Sequence, residues 1–141
     1  MDVAKLIETL NAHAPPALQK LGGRVHAYDE KEKIVEMHYS LDDSFCHSGH
    51  IVQGGYVAGM LDAAMAHAVF AEVRELVVVA TLEIKVSYLE IAKPGELIAY
   101  GRVARMGKSI SFLEAELKNE DGELLATATS TARIIRKSPN P

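Results

Sequence analysis

One carboxylate stands alone in the middle of this chain. In HSGHIVQGGYVAGMLDAAMAHAVF, residues 47–70, Asp62 is the only side chain formally charged at neutral pH. Ala58, Gly59, Ala63 and Ala66 surround it in sequence, so a helix here would set the carboxylate on a small, apolar face. A buried Asp must be hydrogen-bonded, paired or chemically employed. Eight residues earlier, Gly54-Gly55 brings backbone N–H groups without side chains to the point where a helix N-terminus favours negative charge. That outlines an anion or oxyanion site. Gln53 precedes the glycines, and His47 in the polar loop can donate, accept or titrate. Structural readings stand beside these. Asp62 could bond a neighbouring backbone or hydroxyl group, and the Gly pair could only turn the chain into the helix. His50 and His67 read as structural, and His67 is about 500° around the helix from Asp62, so it is no dyad partner. Cys46, His47 and His50 lack a fourth ligand and an oriented outer shell, and no metal site is expected.

The element that must position Asp62 is a core helix of about four turns following Gly55, apolar on nearly every side. Its alanines and Gly59 are expected to let strands approach closely. Before it come a short amphipathic helix at 2–12, stopped by Pro15-Pro16, and two strands, RVHAYDE and KIVEMHYSL, joined by a polar turn at 29–33. In the second strand Ile34, Glu36 and His38 alternate with Val35, Met37 and Tyr39. The polar segment 41–53 reads as loop. After the helix, Leu82, Ile84, Val86 and Tyr88 alternate with Thr81, Glu83, Lys85 and Ser87, predicting a strand with the first set packed. Three more strands follow in hairpin connection, at 97–105, in SISFLEAELKN, and at 123–135. The expected class is α+β: an antiparallel sheet of about five to six strands wrapped around a long central helix, which buries the helix and one sheet face together. The chain is read as one domain, 1–141, with its core at 22–135 and a frayed tail at 136–141.

The 141 residues are enough for one real core, and the net charge of −4 gives no general attraction to nucleic acid or an anionic membrane. The single cysteine, Cys46, excludes an internal disulfide framework and fits a reducing cytoplasm. No signal peptide is evident, and 51–71 is too rich in alanine and glycine to suit lipid. There is no dinucleotide-binding or phosphate-binding Gly-rich motif.

The pattern HxxxxxQGG, with Asp eight residues after the first Gly in QGGYVAGMLDAAMAHA, resembles the hot dog fold thioesterases, most closely the phenylacetate-pathway (PaaI-like) type and its human acyl-CoA thioesterase relatives. TLEIKVSYLEIAKPG and RMGKSISFLEAEL are similar to the family's third strand and its strand-turn-strand, so the resemblance spans residues 45–135. It implies hydrolysis of an acyl-CoA thioester with no cofactor, CoA being part of the substrate. The Gly54 or Gly55 N–H would hold the oxyanion, and Asp62 of a partner subunit would be general base or nucleophile. His47 stands where many relatives have Asn, His50 where many have Gly, and Gln53 where His is frequent. Thr81 matches a hydroxyl residue near the thioester, although its strand parity points it away from the helix. Gln53, Tyr56 and Met60 would line the substrate site, while Arg105, Lys108 and Ser109 would meet the CoA nucleotide. A homodimer with shared active sites is expected, assembled as a dimer of dimers (a homotetramer), with no nucleic-acid or membrane partner.

Two other classes stay open at this stage. A non-catalytic acyl-CoA-binding protein could keep the same helix and seal the pocket, and an enoyl-CoA hydratase or dehydratase would use His47 with Asp62 for proton transfer.

Overall fold

The computed structural model describes residues 2–75 and 77–136. The chain runs through helices α1 (Val3–Ala12) and α2 (Pro16–Lys20), strands β1 (Arg24–Asp29) and β2 (Ile34–Leu41), a 3-10 turn at Asp43–Phe45, and a small hairpin of β3 (Cys46–Ser48) and β4 (Ile51–Val52). Helix α3 (Gly54–Val73) follows, then β5 (Val77–Tyr88), β6 (Gly95–Met106), β7 (Ile110–Asn119) and β8 (Leu124–Arg136). The Pro pair ends α1 but does not exclude helix: Pro16 opens α2, a position where proline's missing N–H costs nothing. The loop before α3 contains the β3–β4 hairpin, which is too short to leave a periodicity in the sequence. Arg136, expected in the tail, pairs with Val77 as the last residue of β8; residues 137–141 lie outside the described residues.

Six strands form one antiparallel sheet in the order β1-β2-β6-β7-β8-β5, curved around α3 in the expected hot dog arrangement. Helix α3 is 20 residues long, longer than the four turns expected. By length and composition it could cross a membrane, but here it is the core helix, with Val57, Met60, Leu61, Ala64, Met65 and Val69 buried. The inner faces of the strands supply the other half of the core. Val35, Met37 and Tyr39, one of the two alternating rows of β2, are fully buried, and Leu97, Ala99, Leu113, Leu117, Ala128 and Ala132 continue the layer. The Tyr39 hydroxyl donates to the Met60 carbonyl at 2.8 Å, satisfying a phenol that would otherwise be a buried orphan; burial raises its pKa further above the usual phenol range.

A close helix–sheet approach falls at one of the helix's alanines, Ala64, opposite a glycine of the sheet, and not at Gly59. A Cβ on Gly101 of β6 would lie 2.3 Å from the Ala64 carbonyl oxygen, whereas one on Gly59 would meet nothing nearer than Leu21 at 3.9 Å. The sheet curves through irregularities in register at Val25/Ala27, Val103/Arg105 and Thr81/Glu83, where an extra residue bends the strand and increases its twist.

The third irregularity changes which side chains of β5 face the helix. Thr81 pairs with Ala132 and Ile84 with Ser130, while Glu83 opposes Thr131. Directly opposed residues share a sheet face, and Ala132 and Ser130 are buried against α3. Thr81 therefore joins Ile84 and Val86 on the helix side. Leu82, expected in the packed row, is the extra residue and is 57% exposed. Simple alternation fails here because one inserted residue shifts the period by one. Strand β5 is also an edge of the sheet, with one side unpaired and Leu82, Ile84 and Tyr88 open to solvent.

Candidate active site

The register shift brings the Thr81 side chain to Asp62: Thr81 Oγ1 donates to Asp62 Oδ1 at 2.8 Å. Asp62 is only partly buried and Thr81 is exposed, so the pair sits on the open flank of α3 beside the unpaired edge of β5. The hydroxyl orients the carboxylate. It leaves Oδ2 for a further partner.

The Gly pair occupies the first turn of the same helix. Gln53 is the N-cap, and its side-chain Oε1 accepts the Gly55 N–H at 2.7 Å. Among the described residues the Gly54 N–H has no acceptor, so of the two expected oxyanion donors Gly54 is the one available. The Gly54 carbonyl accepts from the Tyr88 hydroxyl at 2.6 Å, which holds the Gly54–Gly55 peptide, whose N–H is the one capped by Gln53. Tyr88 was not singled out in the sequence as a site residue. Its only signal was its place at the end of an alternating strand, with Leu89 following. A cleft of about 550 Å³ opens at this point, lined by His47, Gln53, Gly54, Gly55, Tyr88 and Ile91 among others. A cleft of comparable volume on the outer sheet face is lined by mixed charges, including Lys85, Arg102, Glu114 and Lys118, and contains none of the candidate residues.

Asp62 and Thr81 do not line the cleft at the Gly pair. Eight residues at about 1.5 Å rise separate Gly54 from Asp62 by about 12 Å along the helix axis. One chain thus presents two half-sites, an N–H donor with a cleft and a carboxylate with a hydroxyl.

The other expected residues are distributed unevenly. His47 is exposed, lines the cleft and shares a 2.8 Å hydrogen bond with Ser48 Oγ through Nδ1. Tyr56 is 43% exposed and meets Phe45 edge-to-face at 4.9 Å. Met60 is fully buried in the core and offers no surface to a ligand. Arg105, Lys108 and Ser109 lie at the β6–β7 turn, away from the cleft lining; the Ser109 carbonyl accepts from the Ile134 N–H at 2.7 Å. His50 pairs with Asp43 at 2.7 Å on the surface. His67 is buried with its Nδ1 2.8 Å from the Ala63 carbonyl. Because a carbonyl only accepts, Nδ1 carries the proton, and burial lowers the ring's pKa.

A helix wrapped by this sheet, with a Gly pair at its start and a hydroxyl-held carboxylate two turns on, defines a class of protein. The chain belongs to the thioesterase superfamily (4HBT), whose sequence profile matches residues 49–126, more than half of its length. Thioester hydrolysis is therefore its reaction class. Among solved structures it is similar to a phenylacetic acid degradation-related protein from Ralstonia eutropha JMP134, with 34% identity, a TM-score of 0.80 and coverage of 91% of this chain and 98% of that one. It also shares the fold of the Escherichia coli PaaI protein from the phenylacetic acid degradation operon, at TM-score 0.81 and 17% identity over 97% and 99% of the two chains. A protein named as an esterase from Saccharolobus solfataricus is 27% identical over 135 residues, covering 96% of this chain and 94% of that one.

Proposed function

We propose that the chain hydrolyses acyl-CoA thioesters at sites shared between two copies. The observation that carries this reading is the division of the catalytic groups: a carboxylate held by Thr81 at the open edge of β5, and an unpaired Gly54 N–H facing a cleft about 12 Å away along the helix. Pairing β5 with its twin across a two-fold axis would cover the exposed edge and bring each Asp62 toward the partner's Gly pair. In the assembled site, Asp62 takes a proton from water as the water oxygen bonds to the thioester carbonyl carbon. The carbonyl electron pair moves onto oxygen and is stabilised by the Gly54 N–H. Collapse breaks the carbon–sulfur bond, and the proton returns from Asp62 to the departing CoA sulfur. A direct attack by Asp62, through a mixed anhydride later cleaved by water, uses the same groups.

In this reading His47 and Gln53 border the thioester, and Tyr56 and Ile91 meet the acyl group. Arg105 and Lys108 are exposed cations at a hairpin end, whose long side chains would neutralise CoA phosphates. The assembly is proposed as a dimer of dimers, and one free cysteine suits a cytoplasmic setting. Steady-state hydrolysis of an acyl-CoA panel tests the proposal. Wild type turns over at least one thioester, and Asp62→Asn, still folded and of unchanged oligomer size, loses turnover by about 10²-fold or more. A folded, fully active D62N enzyme would overturn the role of Asp62, and a wild type inert toward every thioester would favour an acyl-binding protein.

A further inference from the structure

Three ligating side chains converge on the outer face of the sheet, on the side of β1 and β2 that points away from α3. Glu36 and His38 alternate outward along β2, while Val35 and Met37 between them are buried. His26 reaches the same face through a register irregularity in β1. Arg24 opposes His38 and Ala27 opposes Glu36, with the shift falling between Val25 and Ala27, so His26 is the extra residue. A bulge of this kind re-aims a side chain, and here it stacks the His26 ring on His38 with centroids 4.0 Å apart and planes inclined by 18°. Both Nε2 atoms then face a single carboxylate oxygen: His38 Nε2 lies 2.7 Å from Glu36 Oε2, and His26 Nε2 lies 3.6 Å from it.

We infer that His26, Glu36 and His38 form a binding site for a late first-row divalent cation of the zinc type, separate from the thioester site. Two imidazoles and a carboxylate are the donor set that zinc, cobalt and their neighbours prefer. The three ligand atoms lie within 4.8 Å of one another. Donors held about 2.0–2.2 Å from a tetrahedral ion are about 3.4 Å apart, between the two distances to Oε2, so side-chain adjustment without movement of the strands suffices. The surroundings are graded: the side chains of His38 and Glu36 are 18% and 27% exposed and that of His26 is 49% exposed. Two ligands are thus fixed by the sheet and the third is open to an arriving ion.

The present hydrogen bonding shows what must change. Arg24 Nη1 lies 3.3 Å from His26 Nδ1, so that nitrogen accepts and the ring proton sits on Nε2. Ligation through Nε2 moves each imidazole proton to Nδ1 and displaces the exposed Arg24 side chain; the charge on Glu36 is unchanged. No oxidant or further reactant is needed. The physical consequence is a tie between β2 and the edge strand β1, which is otherwise paired on one side only.

The test is titration of the full-length, chelator-treated protein with Co2+ and Zn2+, followed by calorimetry, visible absorption and thermal melting. The expected result is one equivalent per chain, a Co2+ ligand-field spectrum with no thiolate charge-transfer band, and a melting temperature that rises with metal above the Kd. His26→Ala, His38→Ala and Glu36→Gln, each folded by circular dichroism, should weaken binding at least about tenfold and leave thioester hydrolysis unchanged. Binding to the variants equal to wild type would overturn the site. So would a thiolate band, which would place the metal at Cys46, or an affinity weaker than about 1 mM, which corresponds to only about 4 kcal/mol of binding free energy.

Discussion

If each site takes Asp62 from one chain and Gly54 from the other, two inactive variants should repair each other. The first is Asp62→Asn. The second is Gly54→Pro, which deletes the proposed oxyanion donor and suits the first position of the helix, although its Cβ comes within 3.2–3.3 Å of the Tyr88 side chain, which must give by a few tenths of an ångström. Gly54 is the first residue of α3, and Gln53 before it is extended at φ −62°, ψ 135°, the conformation a residue preceding proline adopts. Alone, the loss of the donor should cost about 10²–10³ in turnover, and the loss of the base about 10²–10⁴. In a mixed dimer one site carries both defects and the other carries neither. Random reassembly makes half of the dimers mixed, so the pool should recover about a quarter of wild-type activity per chain, and mixed dimers isolated through two different tags about half. Either value exceeds both parents by at least about 25-fold, given the single-variant losses. The assay is steady-state hydrolysis of whichever acyl-CoA the wild type turns over. Mixed dimers, verified by native mass spectrometry, that are no faster than their parents would refute the shared site and require Asp62 and Gly54 of one chain to act together over about 12 Å.

Thr81→Val removes the donor at 2.8 Å from Asp62 while keeping the branched shape; a hydrogen bond to a charged group is worth about 1.5–3 kcal/mol, so kcat should fall about tenfold or more in a protein that melts normally, as steady-state kinetics and calorimetry will show. Gly101→Ala places a methyl 2.3 Å from the Ala64 carbonyl oxygen, where neither backbone can yield, and should lower stability by about 1–3 kcal/mol or more, read from the denaturant midpoint. His67 is held neutral in the native chain by burial, which lowers its pKa from 6.5, so below about pH 6.5 the unfolded chain binds a proton that the native chain excludes. Stability should therefore fall as pH drops through and below about 6.5 and show no contribution from this residue well above it; denaturation of wild type and His67→Gln across this range should give a difference that depends on pH only on the acid side.

The sequence by itself determined whatever depends on local periodicity. The apolar run after Gly55 had to be a buried helix, the alternation over 34–39 had to give that strand one covered face, and the Gly pair had to fall at the helix start with Asp62 two turns beyond. These follow from the 3.6- and 2-residue periods and from the chemistry of glycine and an isolated carboxylate. The tertiary structure decided matters in which a distant strand sets the register. Thr81 faces Asp62 because β8 forces an extra residue at Leu82, reversing a parity that alternation alone assigned to the outside. The close helix contact falls at Ala64, opposite Gly101, and not at Gly59, because it depends on which strand crosses the helix there. The Gly55 N–H is already taken by the Gln53 side chain, a contact between neighbours that no spacing rule ranks above solvent. His26, Glu36 and His38 come from two strands, and only the bulge in β1 stacks the two rings. Apart from that cap at the start of α3, the deciding interactions are between residues that the sheet brings together, and a single inserted residue is enough to move a side chain from one face of the sheet to the other.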